Sequence, residues 1–429
     1  VMKKYNALDF SKLAAWDLMQ HYQDFEQTLL KKWKAPLVND FFTMIFYGSM
    51  QKLAVKYKLD EAGTLHNDLL CGARDIVSTE PIHRCYRMAQ LINADLRLRQ
   101  LFMEQDELFI VREIRSGKFP ELHDQFNEYI NDWGDRTVGE LKLETITYRQ
   151  EPALLVRVLK GFIGQQQQHK DHDLKIRKEA ENIVSEKLRK KPIRKWIFSY
   201  FLRKSRDLVT NRENLRFART RGFGLVRRIF IAIGENFYSE GLLSHPRDIF
   251  MLKKEEIFDF IQGTSDTPNL RALVTLRKKE YAVFENKMTS ERIATHGIVY
   301  AGNDFSLQSN ELSFPANGKA TLKGIGCCPG KIRARVRIVH DPYSLNSLQG
   351  DILVTASTDP GWITLFPSAS AILVERGSLL SHSAIVSREL GKPCIVGITG
   401  LLQKLQTGDL VEMDGSTGEI LIIENECAD

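Results

Sequence analysis

The sequence has 429 residues, 43% of them hydrophobic, and a formal net charge of +6, so it is long enough for two or three domains with sizeable cores. No apolar run reaches the roughly 18 residues of a membrane-spanning helix, and the N-terminus lacks a signal-peptide pattern, so we expect a cytoplasmic protein without a membrane partner. Six cysteines without C-x-x-C spacing fit a reducing compartment and argue against a metal site.

The first 262 residues place apolar side chains at helical spacing and contain few strand-like runs, which indicates a mainly α-helical region. Pro192 sets the end of one predicted helix, because proline interrupts or ends the charged helix that precedes it. A second long helix follows, and we expect a break in it near Gly222 and Gly224. The predicted helices cover residues 10–33, 40–57, 78–98, 162–191 and 194–238.

Four arginines form a stripe on the last of these helices. Arg212, Arg216, Arg219 and Arg227 project within roughly 80° of one another if the helix is unbroken. Guanidinium groups make paired hydrogen bonds to phosphate oxygens, so the stripe is a candidate binding face for a phosphoryl group. Ion pairs with acidic residues of neighbouring helices explain the same stripe without a ligand.

The stripe lies in a wider basic tract, residues 187–228, which contains 15 Lys and Arg but only 2 Asp and Glu. Interleaved aromatic residues, Trp196 to Phe201, are compatible with nucleic-acid binding. Aromatic side chains at helical spacing are more typical of a core, so we disfavour nucleic acid as a partner. The net charge is +9 over residues 1–320 and −3 over residues 321–429, which suits the handling of anionic species.

Residues 297–318 are rich in Gly, Ser, Asn and Pro, which predicts a linker. We therefore divide the chain into a helical domain over residues 1–296, a linker over 297–321 and a C-terminal domain over 322–429. The whole is a multidomain protein, mainly α-helical at first and α/β at the C-terminus.

The C-terminal domain has the periodicity of a mixed sheet. Apolar and basic residues alternate from Ile332 to Ile338, which predicts a half-buried strand. Residues 351–355 and 371–375 are apolar enough for central strands, and residues 411–413 and 419–423 predict a hairpin. A β/β/α carrier fold is the expected result.

His382 lies where the strand 371–375 gives way, after a short loop, to an amphipathic helix that Gly391 ends. Free N–H groups and the helix dipole at such a position stabilise an anion attached to the ring and disfavour imidazolium. A neutral nitrogen is then available as a nucleophile. We expect the imidazole to point outward, with Ser381 or Ser383 capping the helix.

Several motifs surround His382 in a fixed order. They are Gly326-Cys-Cys-Pro-Gly330, Gly350-Asp-Ile-Leu-Val354, Thr358-Asp-Pro-Gly-Trp362, Leu380-Ser-His-Ser-Ala-Ile-Val-Ser-Arg-Glu-Leu-Gly391, Gly408-Asp409 and Asp414-Gly415. Through these motifs, residues 322–423 closely resemble the phosphohistidine swivelling domain of PEP-utilising enzymes, such as phosphoenolpyruvate synthase, pyruvate phosphate dikinase and rifampicin phosphotransferase.

The resemblance implies that His382 carries a phosphoryl group, supported by Ser381, Ser383 and Arg388. It also implies that ATP and Mg²⁺ are bound by an ATP-grasp domain, a nucleotide-binding domain that these residues do not contain. That domain would belong to the same native polypeptide or to a separate subunit.

The helical region is similar, less specifically, to the substrate-binding domain of rifampicin phosphotransferase, through stretches such as Trp133-Gly-Asp-Arg136 and Arg212-Glu-Asn-Leu-Arg-Phe217. Arg136 and Glu140 then either line the site of a small-molecule hydroxyl acceptor or join two helices. The alternatives are a synthase-like enzyme that acts on pyruvate, disfavoured because its barrel is missing, and a non-catalytic carrier or binding subunit.

Overall fold

The structure is a computed structural model. It describes residues 2–6, 8–59, 65–70, 80–164, 171–285, 297–298, 321–345, 347–359, 361–362, 365–379 and 381–423. Almost all of the predicted linker lies outside the described residues, so the domain boundaries at 297 and 321 stay predictions.

The described residues before 286 form helices and turns, as the periodicity predicted. Their bounds are α1 (Met2–Asn6), α2 (Ala15–Thr28), α3 (Ala35–Lys56), α4 (Leu65–Asp68), α5 (Glu80–Ala94), α6 (Leu96–Glu104), α7 (Glu107–Arg115), α8 (Pro120–Trp133), α9 (Ala153–Phe162), α10 (Asp171–Lys187), α11 (Pro192–Ser239), α12 (Lys254–Gln262) and α13 (Leu270–Glu285).

Three predicted helices differ from those in the structure. The helix predicted over residues 10–33 is shorter, since α2 covers Ala15–Thr28 and is flanked by 3₁₀ turns at Phe10–Lys12 and Leu30–Lys32. The helix expected to continue through Leu98 ends at Ala94, because Asp95 adopts an extended conformation and its carboxylate caps α6 by accepting from the N–H groups of Arg97 and Leu98. The charged helix expected from residue 162 begins instead at Asp171, since α9 ends at Phe162. The cap formed by Asp95 therefore decided the boundary between α5 and α6.

Helix α11 is unbroken through Gly222 and Gly224, where we expected an interruption. Gly224 has a packing role instead: a Cβ at this position would overlap the carboxylate of Asp135. The glycine therefore allows the chain after α8 to lie directly against α11.

The C-terminal residues form a mixed eight-stranded sheet. Strands β3 to β6 are parallel neighbours, whereas β1, β2, β7 and β8 pair antiparallel in the order β1-β8-β7-β3-β4-β5-β6-β2. The predicted central strands and the closing hairpin are confirmed. The strands are β1 (Thr321–Lys323), β2 (Ile325–Cys328), β3 (Lys331–Ile338), β4 (Ile352–Thr355), β5 (Ala371–Val374), β6 (Cys394–Val396), β7 (Leu410–Asp414) and β8 (Glu419–Ile423).

Two further helices lie among these strands, and we call the strands and helices of residues 321–423 the sheet domain. Helix α14 (His382–Glu389) connects the parallel strands β5 and β6, and α15 (Leu401–Lys404) follows β6. A helix between parallel neighbours returns the chain to the same end of the sheet. His382 consequently lies at the carboxyl ends of the parallel strands, where open α/β sheets bind ligands.

The chain divides into two compact units. The first comprises Val1–Thr28 and Val226–Gly318, and the second comprises Leu29–Leu225 and Lys319–Asp429. In the first unit, the ring of Tyr22 packs edge-on against Phe230 and Phe258, whose own rings stack. This aromatic cluster joins α2 to α12.

In the second unit, one apolar cluster extends from helices α5 to α9 into the sheet domain. It includes Phe126 and Leu155 of the helices together with Phe366 and Ile372 of the sheet domain, all fully buried. A separate cluster fills the opposite face of the sheet, around Val354 and Leu373. The sheet domain is thus packed against α5 to α9 through a shared core.

Among the described residues, no helix is long and apolar enough to cross a membrane.

Candidate active site

Ser381 caps the helix that begins with His382. Its backbone is extended, at φ −70° and ψ 160°, and its Oγ accepts from the N–H of Ala384 at 3.4 Å. The hydroxyl of Ser383 lies 3.0 Å from that of Ser381. The capping serine predicted from the sequence is therefore Ser381, and Ser383 forms a hydroxyl pair with it.

The ring of His382 is buried, contrary to our expectation that it would point outward. The residue is only 6% exposed, and neither ring nitrogen has a hydrogen-bond partner among the described residues. Burial lowers the pKa of His382 to about 3. The imidazole is consequently neutral at pH 7, as predicted, but loss of solvent is the main cause.

Three charged side chains of the helical region act on this ring. Glu213 favours the protonated ring and raises the pKa of His382, whereas Arg136 and Arg216 lower it. Glu213 is fully buried and accepts from Nη1 of Arg216 at 3.0 Å, one helical turn away. The residues that surround His382 therefore come from a distant part of the sequence.

Glu213 was missed in the sequence. One signal pointed to it: it is one of only two acidic residues in the basic tract 187–228. A carboxylate among so many cations is a natural ion-pair partner, and here it lies inside the site.

Arg388 is buried and bonded to the backbone around the site. Its Nε donates to the carbonyl of Cys327 at 3.0 Å, and its Nη2 donates to the carbonyl of Leu379. These contacts join α14 to β2 and to the loop before His382. They favour an indirect supporting role, in which Arg388 positions the loop.

Arg136 and Glu140 lie in the segment after α8 and are almost fully buried. The guanidinium of Arg136 lies 5.5 Å from the ring centre of Phe217, and Oε1 of Glu140 accepts from Oγ1 of Thr220 at 2.7 Å. Burial raises the pKa of Glu140, and Arg136 opposes this. Both residues pack on α11, and the charge of Arg136 lowers the pKa of His382. The role of the pair in an acceptor site stays a prediction.

The sheet domain is held against the same segment by direct contacts. The carboxylate of Asp359 accepts from the N–H of Gly139 at 2.7 Å, and the hydroxyl of Tyr343 accepts from the N–H of Val138 at 3.3 Å. Gly361 lies so close that a Cβ would overlap the backbone nitrogen of Val138. Burial raises the pKa of Asp359.

Three of the four stripe arginines line one small pocket of about 110 Å³. Nε of Arg212 lies 3.1 Å from a carboxylate oxygen of Asp40 on α3, which is the kind of inter-helix ion pair considered above. Arg227 is not among the lining residues and is fully buried in the other compact unit. The pocket is lined by Trp33, Pro36, Asp40, Arg212, Leu215, Arg216 and Arg219.

The aromatic residues of the basic tract divide into two kinds. Phe198 is fully buried, as expected for a core residue, whereas Trp196 is 71% exposed and stacks on Tyr200 at 6.4 Å. The core interpretation holds for Phe198 and is wrong for Trp196.

Two family models match the chain. Residues 348–418, which include His382, match the PEP-utilising enzyme mobile domain, and residues 40–213, which include Arg136, Glu140 and Arg212, match the rifampicin phosphotransferase fourth domain. The chain therefore contains both kinds of segment, as the resemblance implied.

Curated relatives agree with this assignment. An uncharacterized protein of Mycobacterium tuberculosis is 29% identical over 355 residues, which cover 82% of this chain and 37% of that protein. Rifampicin phosphotransferases of Bacillus cereus and Bacillus subtilis are each 24% identical, over 74% of this chain and 36% of their own length. The chain thus spans little more than a third of these relatives.

Among solved structures, aconitase X of Thermococcus kodakaraensis in its holo form shares 24% identity, covering 24% of this chain and 99% of that one. The TM-score is 0.21, too low to define a shared fold.

Proposed function

We propose that this chain is the acceptor-binding and phosphohistidine-carrier part of an ATP-dependent, dikinase-type phosphotransferase. His382 receives a phosphoryl group and delivers it to the hydroxyl of a small molecule. The similarity to phosphotransferases in both halves of the chain supports this class of reaction.

The observation that carries the proposal is the environment of His382. A buried polar group without a hydrogen bond costs roughly 1–3 kcal/mol, so such groups are retained mainly where function needs them. Here the ring is neutral, its nitrogens are unbonded within the described residues, and two positive charges, Arg136 and Arg216, act on it together with one negative charge, Glu213. This is a suitable setting for a ring nitrogen that exchanges a dianionic group.

The transfer step follows from these positions. The acceptor oxygen attacks phosphorus in line, the P–O bond forms, and the P–N bond breaks with its electron pair returning to the ring nitrogen. The hydroxyl proton ends on the imidazole, which regains its neutral form. Arg136 and Arg216 stabilise the charge spread over the phosphoryl oxygens, while Arg388 and the Ser381 cap hold the ring in place.

The phosphoryl donor is ATP, bound with Mg²⁺ by an ATP-grasp domain that acts with this chain. Overall, ATP and water yield AMP, phosphate and phosphorylated His382, which takes the β-phosphoryl group. Among the described residues, no group of three His, Cys, Asp or Glu side chains could hold a metal ion.

Delivery from a separate nucleotide site requires the sheet domain to move. The charges of Glu213, Arg136 and Arg216, all of the helical region, act on the His382 ring, which supports assigning this arrangement to the acceptor side of the proposed cycle. A swivel would expose the ring to the ATP-grasp domain and return it after phosphorylation.

The test is labelling of the full chain by [β-³²P]ATP in the presence of its ATP-grasp domain. We expect acid-labile, base-stable label that is lost in His382→Asn and kept in His340→Asn, whose histidine is exposed on the same domain. Label from [γ-³²P]ATP should leave as free phosphate. A wild type that stays unlabelled, under conditions that label a rifampicin phosphotransferase, would favour a non-catalytic carrier or binding subunit.

A further inference from the structure

The pocket lined by Arg216 carries information about the acceptor. Arg216 lines the pocket and its charge lowers the pKa of His382, so the pocket lies within electrostatic range of the ring. An acceptor hydroxyl approaching the histidine from this side would leave the rest of its molecule in the pocket.

The residues that line the pocket carry more positive than negative charge. Asp40 is paired with Arg212, and Arg216 is paired with Glu213. Arg219 makes no hydrogen bond or ion pair with any residue that the structure describes, and its Nε is buried. One guanidinium therefore faces the pocket without a partner, although Glu140 lies within electrostatic range.

The arginines also repel one another. Burial is the main cause that lowers the pKa of Arg212, and the charge of Arg216 lowers it further. Crowded cations with a surplus positive charge are stabilised by a bound anion, and the guanidinium fork matches carboxylate or phosphate oxygens.

The volume of the pocket and its apolar lining residues limit the kind of ligand that it can hold. The pocket volume of about 110 Å³ is well below the roughly 300–1,000 Å³ of sites for drug-sized ligands. Trp33, Pro36 and Leu215 supply the apolar part of the lining. The pocket suits a compact molecule with a short carbon skeleton and one charged end.

We propose, resting on the proposed function, that the acceptor is a small hydroxyl compound with an anionic group, bound by Arg219 and Arg212 while its hydroxyl faces His382. Arg136 and Arg216 then serve the transferred phosphoryl group. Arg219 is a specificity-determining residue in this arrangement.

The experiment is calorimetric titration of the unphosphorylated full chain with matched pairs: lactate and lactamide, glycerate and glyceramide, 3-hydroxybenzoate and 3-hydroxybenzamide. Each pair keeps its shape and differs in charge. We expect at least one acid to bind at least about tenfold more tightly than its amide. Arg219→Gln should abolish that preference, Arg219→Lys should keep part of it, and Arg203→Gln, which removes an exposed arginine of α11, should leave it unchanged.

Equal binding of acids and amides across the panel would overturn the proposal, because the arginines would then serve the phosphoryl group alone. Unchanged acid binding in Arg219→Gln would overturn it as well. The titration needs no phosphorylated protein, so its failure is distinct from a failure to label His382. Melting curves of each variant confirm that it is folded.

Discussion

The backbone N–H of Gly139 donates a 2.7 Å hydrogen bond to the carboxylate of Asp359, joining the helical region to the sheet domain. The backbone N–H of Val138 likewise donates to the hydroxyl of Tyr343, and Gly361 lies directly against the backbone of Val138. These contacts define a docked position for the proposed carrier. The shared apolar core and the hydrogen bonds of Tyr343 with Tyr148 and Arg157 extend this interface, and the proposed swivel would have to open all of it.

Gly361→Ala should disturb docking. The added methyl group overlaps the backbone near Val138, so we expect a loss of about 1–3 kcal/mol in the free energy of unfolding or a shift toward the undocked carrier. Labelling of His382 by the ATP-grasp domain should persist, while delivery to the acceptor slows. Gly48→Ala in α3 is the control, because a Cβ there meets open space; equal delivery rates in the two variants would count against the docked position.

His382→Leu should stabilise the fold while abolishing phosphorylation. The substitution removes two buried ring nitrogens that have no hydrogen-bond partner in the described part of the chain, and each such group costs roughly 1–3 kcal/mol. We expect the free energy of unfolding to rise by about 1–2 kcal/mol. Denaturant unfolding monitored by circular dichroism measures it, and a clearly less stable variant would show that the imidazole has partners in solution.

Stability should depend on pH through the same ring. The folded pKa of His382 is about 3, whereas an unfolded histidine titrates near 6.5. Between these values only the unfolded chain binds the proton, so stability falls as the pH is lowered through this window. We expect the wild type to lose about 2 kcal/mol of its free energy of unfolding between pH 7.5 and pH 5 through this histidine. The measurement compares this pH dependence in the wild type with that in His382→Leu. Parallel pH profiles would contradict a buried neutral ring.

Arg388→Lys should loosen the loop before His382. Lysine lacks the planar fork that bridges the carbonyls of Cys327 and Leu379, so we expect a loss of about 1.5–3 kcal/mol in stability. Because the role is positioning, the labelling rate of His382 should fall as well, even where the variant is fully folded. Arg335→Lys, at an exposed position of β3, should change neither quantity.

Local patterns predicted the sheet domain well. The alternation in β3, the apolar runs of β4 and β5 and the hairpin β7–β8 each fix a strand by themselves. The helix start at His382 was likewise encoded by Ser381, a residue whose side chain caps it. These features depend on neighbours in sequence, and a single sequence shows them.

The surroundings of His382 could not be predicted this way. The charges that act on its ring belong to Arg136, Glu213 and Arg216, all more than 150 positions away in the sequence. Gly224 was misinterpreted for the same reason. It suggested a break in α11, whereas in the structure it provides room for the side chain of Asp135. Tertiary contacts decide such positions, and local propensity does not report them.

The central claim, that His382 carries the phosphoryl group, is tested most directly by tandem mass spectrometry of the full chain after incubation with ATP, Mg²⁺ and its ATP-grasp domain. Peptides are prepared at alkaline pH, which preserves phosphohistidine. We predict phosphate on His382, and its disappearance when a competent hydroxyl acceptor is added. Phosphate on another residue alone, or an unmodified His382 while AMP is still released, would contradict the account.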